Sequence, residues 1–184
     1  MAGFVVHLAV AEEYIRKHGN IKNNEEFTFG AIMPDLYENK KASHYGIKTS
    51  KPNLKKYLNE NKLDSELSKG YLLHLITDYL FYNHYLEFFS KDIYNDYDIT
   101  NKELINEYNV IIPSIIKSQI FFKQGNTKVM SIDLAKRVID EVSDLDLDKV
   151  VNEIYNDELK WKRFKTLEKR WNYDYSNSGS NERR

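Results

Sequence analysis

A histidine and an aspartate stand four residues apart in the apolar stretch GYLLHLITDYLFYNHYL, which covers residues 70–86. In a helix, residues at this spacing share one face and have Cβ atoms roughly 6 Å apart, so His74 and Asp78 point the same way. An imidazole nitrogen and a carboxylate oxygen placed together can bind one metal ion. A hydrogen-bonded pair in the core is the alternative, and the spacing alone leaves both interpretations open.

Two further histidines and one aspartate lie in contexts that favour a site. His7 interrupts the apolar stretch FVVHLAVA, where a buried polar group without a partner costs on the order of 1–3 kcal/mol. His44 lies in KASHYG, nine residues after Asp35, and loops of that length inside compact domains are often functional. His18 stands at a predicted helix end in RKHGN, where a cation complements the helix dipole, so we expect a structural role for it.

The available metal donors are nitrogen and oxygen, because the chain contains no cysteine. This composition excludes disulfides and thiolate metal sites. A set of three imidazoles and two carboxylates suits Zn²⁺, admits Mn²⁺ or Fe²⁺, and does not suit Cu(I). The candidate ligands are His7, Asp35, His44, His74 and Asp78. We therefore predict a site for one or two metal ions, with zinc as the first choice.

The overall charge is balanced, with 27 Lys+Arg against 28 Asp+Glu, so no global field attracts the chain to nucleic acid or membrane. We infer no specific nucleic-acid partner. Locally, residues 40–56 contain six lysines and no acidic residue, and this segment brackets His44. The segment favours a small anionic substrate, with Lys41 and Lys48 as candidate binding residues, although a solvated surface would have the same composition.

Other common chemistries lack their motifs. There is no GxSxG elbow, no P-loop and no Gly-rich dinucleotide fingerprint, and glycine totals only seven. The first residues lack a basic region before their short apolar stretch, which is unlike a signal peptide. Because no run of about 18 apolar residues predicts a transmembrane helix, the default expectation is a cytoplasmic protein.

The pattern of apolar residues predicts an all-α fold, a single-domain helical bundle of about six to eight helices. The predicted helices in the first half cover residues 4–17, 24–32, 52–60 and about 64–89, with an irregular loop over 33–50. The polar segment 94–101 predicts a break, followed by a helix that Thr100 caps and Pro113 kinks. Later helices are predicted from Ser131 to about 142 and over about 145–171. We expect one domain over residues 1–175 and a disordered tail over 176–184.

Together, the early His7 and the motifs GAIMPD, SHYG and GYLLHLITDYLFYNH resemble the zinc-dependent phospholipase C and P1-type nuclease family, particularly its small intracellular members. The resemblance covers roughly residues 1–90. It implies a helical bundle with a zinc cluster that hydrolyses phosphoesters, and it implies that His44, His74 and Asp78 bind one zinc ion. Asp35 would be a further ligand or the catalytic base, and His7 would bind a neighbouring metal ion that shares Asp78 as a bridging carboxylate.

The chain also departs from that family. A third zinc ion in the secreted phospholipases binds a histidine at the place of His84 and a later His-x-x-x-Glu, but no histidine follows His84 here. The resemblance therefore implies at most two ions, which would activate a water for phosphoester hydrolysis. Two alternatives stay open: a noncatalytic metal-binding protein degenerate from the family, and an HD-like phosphohydrolase. The absence of an adjacent His-Asp pair counts against the second.

Overall fold

The computed structural model describes residues 2–158, and within that range the chain is helical and contains no strand. The α-helices of this range are α1 (Phe4–His18), α2 (Asn24–Gly30), α3 (Lys40–Ser43), α4 (Leu54–Glu60), α5 (Glu66–Leu80), α6 (Asp92–Glu107), α7 (Ile132–Ser143) and α8 (Leu147–Tyr155). Two 3₁₀ helices, Met33–Leu36 and Ser114–Gln119, and a π-helical turn, Phe81–Tyr85, complete the regular structure. The predicted all-α helical bundle is confirmed.

Helix α5 is central and carries two of the candidate ligands, but it is shorter than predicted. It ends at Leu80, and the π-helical turn follows. The side-chain amide of Asn83 donates to the carbonyl oxygen of Tyr79 at 2.6 Å, which is the oxygen that the backbone N–H of Asn83 would use in an α-helix. The same amide donates to the Ser50 carbonyl oxygen at 2.9 Å, so the change in helix type coincides with a side chain that bonds the backbone of both segments.

Helix α6 contradicts the predicted break at 94–101 and the predicted helix start at Thr100. Thr100 lies inside α6, where its hydroxyl donates to the Asp96 carbonyl oxygen at 2.9 Å, and Pro113 lies beyond the end of α6. The Asp96 carboxylate is buried and accepts from the backbone N–H groups of residues 128–130. A distant loop therefore supplies hydrogen-bond donors to Asp96, one of the polar residues on which the predicted break was based.

Helices α2 and α5 approach each other more closely than ordinary side chains allow. A methyl group added at Gly70 would overlap the carbonyl oxygen of Phe27, and one added at Gly30 would overlap that of Leu67. Both glycines are therefore required for backbone contact between the two helices. This contact places the chain that follows α2 against the middle of α5, where His74 lies.

The remaining helices enclose this pair. Helix α1 is buried along most of its length and packs against α2, α5, α6 and α7. The predicted cap of α7 is confirmed, because the Ser131 side chain accepts from the Leu134 N–H at 3.1 Å. In the part of the chain that the structure describes, no helix has the length and apolarity needed to cross a membrane. The predicted helical extension to 171 and the predicted tail at 176–184 lie outside the described residues.

Candidate metal centre

Four elements bring the five candidate ligands together in the interior. Helix α5 carries two of them, α1 carries the first, the 3₁₀ helix Met33–Leu36 carries another, and the last directly follows α3. No more than 4 % of the surface of any of these residues is exposed. They are His7, Asp35, His44, His74 and Asp78. All five residues predicted from the sequence therefore share one buried cluster.

Four donor atoms of this cluster, one from each of four residues, lie within 4.8 Å of one another. The Nε2 atoms of His44 and His74 lie 3.2 Å apart, and they lie 3.0 and 3.5 Å from Asp78 Oδ2. Asp35 Oδ1 lies 3.7 Å from His44 Nε2 and 3.8 Å from His74 Nε2. Zinc bonds of 2.0–2.2 Å in a tetrahedron separate neighbouring ligands by about 3.3–3.6 Å. The four residues can therefore hold one metal ion.

Hydrogen bonds on the far side of each ring fix which nitrogen faces the cluster. His74 Nδ1 lies 2.7 Å from the Ala31 carbonyl oxygen, and His44 Nδ1 lies 2.6 Å from the Lys40 carbonyl oxygen. A carbonyl oxygen only accepts, so each Nδ1 carries a hydrogen and each ring directs its Nε2 inward. The Nε2 of His44 lies at hydrogen-bond distance from Asp78 Oδ2, and it lies 3.2 Å from the Nε2 of His74. These three atoms thus face one another, as the ligands of a metal ion do.

Burial sets the protonation of the cluster. It lowers the pKa of His74 to about 4 and also lowers the pKa of His7, so both rings are neutral near pH 7. It raises the pKa of Asp35 above its usual range, because a buried carboxylate loses its hydration. Neutral imidazole is the form that binds metal, and a bound divalent ion would offset the cost of ionising Asp35.

Unsatisfied polar atoms also point to this cluster. Within residues 2–158, five buried side-chain nitrogen or oxygen atoms lack a hydrogen-bond partner. Both oxygens of Asp35 and both ring nitrogens of His7 account for four of them, and Glu66 Oε2 is the fifth. Buried polar groups in native proteins are nearly always paired, and each unpaired one costs about 1–3 kcal/mol. A metal ion is a partner that would satisfy these nitrogen and oxygen atoms.

His7 adjoins the four-donor site and faces the second carboxylate oxygen of Asp78. Its ring stacks on His74 with centroids 3.7 Å apart, and its Nε2 lies 3.3 Å from Asp78 Oδ1. The backbone N–H of Ala2 donates to the same oxygen at 2.7 Å. Asp78 thus presents Oδ2 to His44 and His74, and Oδ1 to His7.

The other residues singled out from the sequence lie elsewhere. Lys41 is exposed on α3, and Lys48 is exposed in the loop that follows, so their role in substrate binding stays a prediction. The ring of His84 lies edge-on to that of Tyr85, in the π-helical turn, and contributes no atom to the four-donor site.

Sequence reasoning missed the groups that orient the ligands. These are the carbonyl oxygens of Ala31 and Lys40 and the backbone N–H of Ala2, none of which leaves a mark on the sequence. The Ser43 hydroxyl is a further example. It donates to the Pro34 carbonyl oxygen at 2.7 Å and so ties the segment before His44 to the 3₁₀ helix that carries Asp35.

Comparison with protein-family models, with curated proteins and with solved structures finds no match to this chain. The case for a metal centre therefore rests on the geometry described above. The case for a particular family rests on the motifs within residues 1–90.

Proposed function

We propose that this chain is a metal-dependent phosphoesterase related to the zinc-dependent phospholipase C and P1-type nuclease family. One ion would bind at the four-donor site, and a second would bind between Asp78 and His7. The observation that carries the proposal is that Asp78 Oδ2 faces the imidazoles of His44 and His74, whereas Asp78 Oδ1 faces that of His7. A carboxylate that bridges two ions about 3.5–4 Å apart is a recurring feature of sites that hydrolyse phosphoesters.

The ion, the histidines and Asp35 have different roles in this proposal. Bound zinc would supply Lewis acidity and an activated water. The carbonyl groups behind His44 and His74 orient both rings with Nε2 toward the site, so neither ring has to reorient when an ion binds. Asp35 would hold the ion through Oδ1 and act as the catalytic base through Oδ2 in this proposal, because neither oxygen is engaged by a hydrogen-bond donor within the described chain. The substrate is a small anionic phosphoester.

A second candidate is a noncatalytic metal-binding protein, in which the ion stabilises the bundle. The specific observation in its favour is that four side chains complete a tetrahedral set, and that each is almost fully buried. Structural zinc sites are closed in this way, whereas catalytic sites keep a position open for water or substrate. The two candidates differ in the number of ions bound and in turnover.

The test combines elemental analysis with assays of p-nitrophenyl phosphate and bis(p-nitrophenyl) phosphate in the presence of Zn²⁺ or Mn²⁺. The proposal predicts two ions and turnover in the wild type, and one ion with turnover lost in His7→Ala. His18→Ala is the matched control and should keep both ions. His18 is the last residue of α1, and its ring bonds the Ser143 carbonyl oxygen, away from the cluster. One ion and no turnover of either compound would favour the noncatalytic protein.

A further inference from the structure

A cavity of about 400 Å³ lies beside the metal centre and is built on the same elements. Met33 of its lining belongs to the 3₁₀ helix that carries Asp35. Ser43 and Tyr45 stand on either side of His44 in the sequence. Tyr71 lies one helical turn before the next ligand of α5 and donates to the Ser43 carbonyl oxygen at 2.6 Å. The cavity is therefore formed by residues that are neighbours of the candidate ligands in the sequence, while none of the ligands lines it.

The lining of the cavity is aromatic and neutral. Within the described residues it includes four tyrosines and no Asp, Glu, Lys or Arg side chain. The rings of Tyr57 and Tyr71 are parallel with centroids 5.0 Å apart, and Tyr45 meets Tyr57 edge-on at 5.2 Å. Tyrosine combines an apolar face with a polar tip, which suits a ligand ring that is apolar on its faces and hydroxylated at its edge. A charged group has no counterion in this lining.

A donor and an acceptor remain available side by side on the cavity wall. The Asn61 side-chain amide donates to the Tyr45 hydroxyl oxygen at 3.0 Å and to the Tyr57 carbonyl oxygen at 2.9 Å. Both amide hydrogens of Asn61 are thus used, while its Oδ1 can still accept and the Tyr45 hydroxyl hydrogen can still be donated. An adjacent donor and acceptor match a hydroxyl group, which both donates and accepts.

The backbone of Tyr45 supports a role for its side chain. Its φ is 56°, in the left-handed region, which is uncommon and unfavourable for residues other than glycine. Glycine at this position would avoid the cost but would not supply the ring or the hydroxyl. A strained aromatic residue directly after a metal ligand is the kind of outlier that clusters at functional sites.

We infer that this cavity binds an uncharged ring that carries several hydroxyl groups, such as a sugar or a cyclitol. In the reaction proposed above, this ring is the alcohol esterified to phosphate, and that assignment rests on the proposed function. Binding of the ring itself does not, because it uses the cavity wall rather than the metal.

The test is saturation-transfer NMR on the full chain with methyl α-D-glucopyranoside and myo-inositol as probes. Cyclohexanol is the matched control ligand, because it keeps a six-membered ring but has a single hydroxyl. We expect saturation transfer to at least one polyol and little to cyclohexanol. Equal transfer to cyclohexanol, or none to either polyol, would overturn the inference.

Two substitutions at one position separate the hydroxyl from the ring. Tyr45→Phe removes one hydroxyl and should weaken polyol binding roughly tenfold, the equivalent of one hydrogen bond. Tyr45→Gly removes the ring and the hydroxyl, so polyol binding should be lost. Glycine adopts this positive φ without strain, so the substitution adds no backbone strain that would lower the melting temperature. Tyr108→Phe, whose hydroxyl bonds Asp140 outside the cavity lining, is the control that should bind as the wild type. Wild-type binding by Tyr45→Gly would refute the inference.

Failure of this inference can be told apart from failure of the proposed function. Polyol binding without turnover of any phosphoester would leave the ring site in place and remove the phosphoesterase. Turnover of p-nitrophenyl phosphate without binding of either polyol would support the phosphoesterase and refute the ring site.

Discussion

Binding of zinc to the four-donor site should stabilise the fold by an amount that can be calculated in advance. A ligand that binds only the native state adds RT ln(1 + [L]/Kd), which is about 2.7 kcal/mol at a free zinc concentration of 100 Kd. For a chain of 184 residues, each kcal/mol shifts the melting temperature by roughly 2–4 °C. We therefore expect the melting temperature to rise by about 5–11 °C from metal-free to zinc-saturated protein.

The structure explains why the metal-free state is the weaker one. The Asp35 carboxyl group is buried with no hydrogen-bond donor in the described chain, and burial raises its pKa because the charged form loses its hydration. Removal of the ion therefore leaves a buried carboxyl group without a partner, which costs free energy of folding.

The assay is differential scanning fluorimetry of EDTA-treated protein titrated with zinc. His74→Gln removes one inward nitrogen and should lose most of the zinc-dependent shift. His18→Gln is the matched control, because it makes the same substitution in a histidine outside the cluster and should keep the full shift. The reasoning is refuted if His74→Gln shows the wild-type shift, since zinc would then be stabilising the protein from another site.

Three further substitutions test the centre and the fold. Asp35→Asn keeps the size of the residue and one oxygen donor but removes the base, so we expect most of the metal to remain in elemental analysis while turnover falls at least about 100-fold. Gly70→Ala should destabilise the protein by about 3 kcal/mol in urea unfolding, because its methyl group overlaps the Phe27 carbonyl oxygen, and should weaken zinc binding about tenfold by moving the chain behind His74. Asp96→Asn removes a charge that accepts from three backbone N–H groups, and should cost about 2–3 kcal/mol in the same unfolding measurement without changing zinc affinity.

The site could be predicted from the sequence where it depends on local spacing or on polar residues in apolar surroundings. The four-residue interval between His74 and Asp78 required both side chains to share a face of α5, and the structure places them there. His7 was conspicuous because it interrupts an apolar stretch. The structure adds the orientation of each ring, which depends on the carbonyl groups of Ala31 and Lys40, and carbonyl groups are the same in every sequence.

The fold was mispredicted where distant contacts override local preference. Residues 94–101 are polar enough to suggest a break, yet they lie in α6 because loop N–H groups at 128–130 satisfy the buried Asp96 carboxylate. Conversely, the α-helix predicted to continue to 89 ends at Leu80, and in the π-helical turn that follows the Asn83 side-chain amide donates to the distant Ser50 carbonyl oxygen at 2.9 Å. Neither partner can be identified from the local pattern of apolar residues.

The contact between α2 and α5 contributes both to the packing of the bundle and to the orientation of His74 in the candidate metal centre. Gly30 and Gly70 let the two backbones touch, and the chain leaving α2 then places the Ala31 carbonyl oxygen 2.7 Å from His74 Nδ1. That hydrogen bond holds the hydrogen on Nδ1 and turns the bare Nε2 toward His44 and Asp78. A pair of glycines, which contribute no side chain to the site, thus determines the tautomer of a candidate metal ligand, because the approach they permit brings an acceptor to the back of the ring.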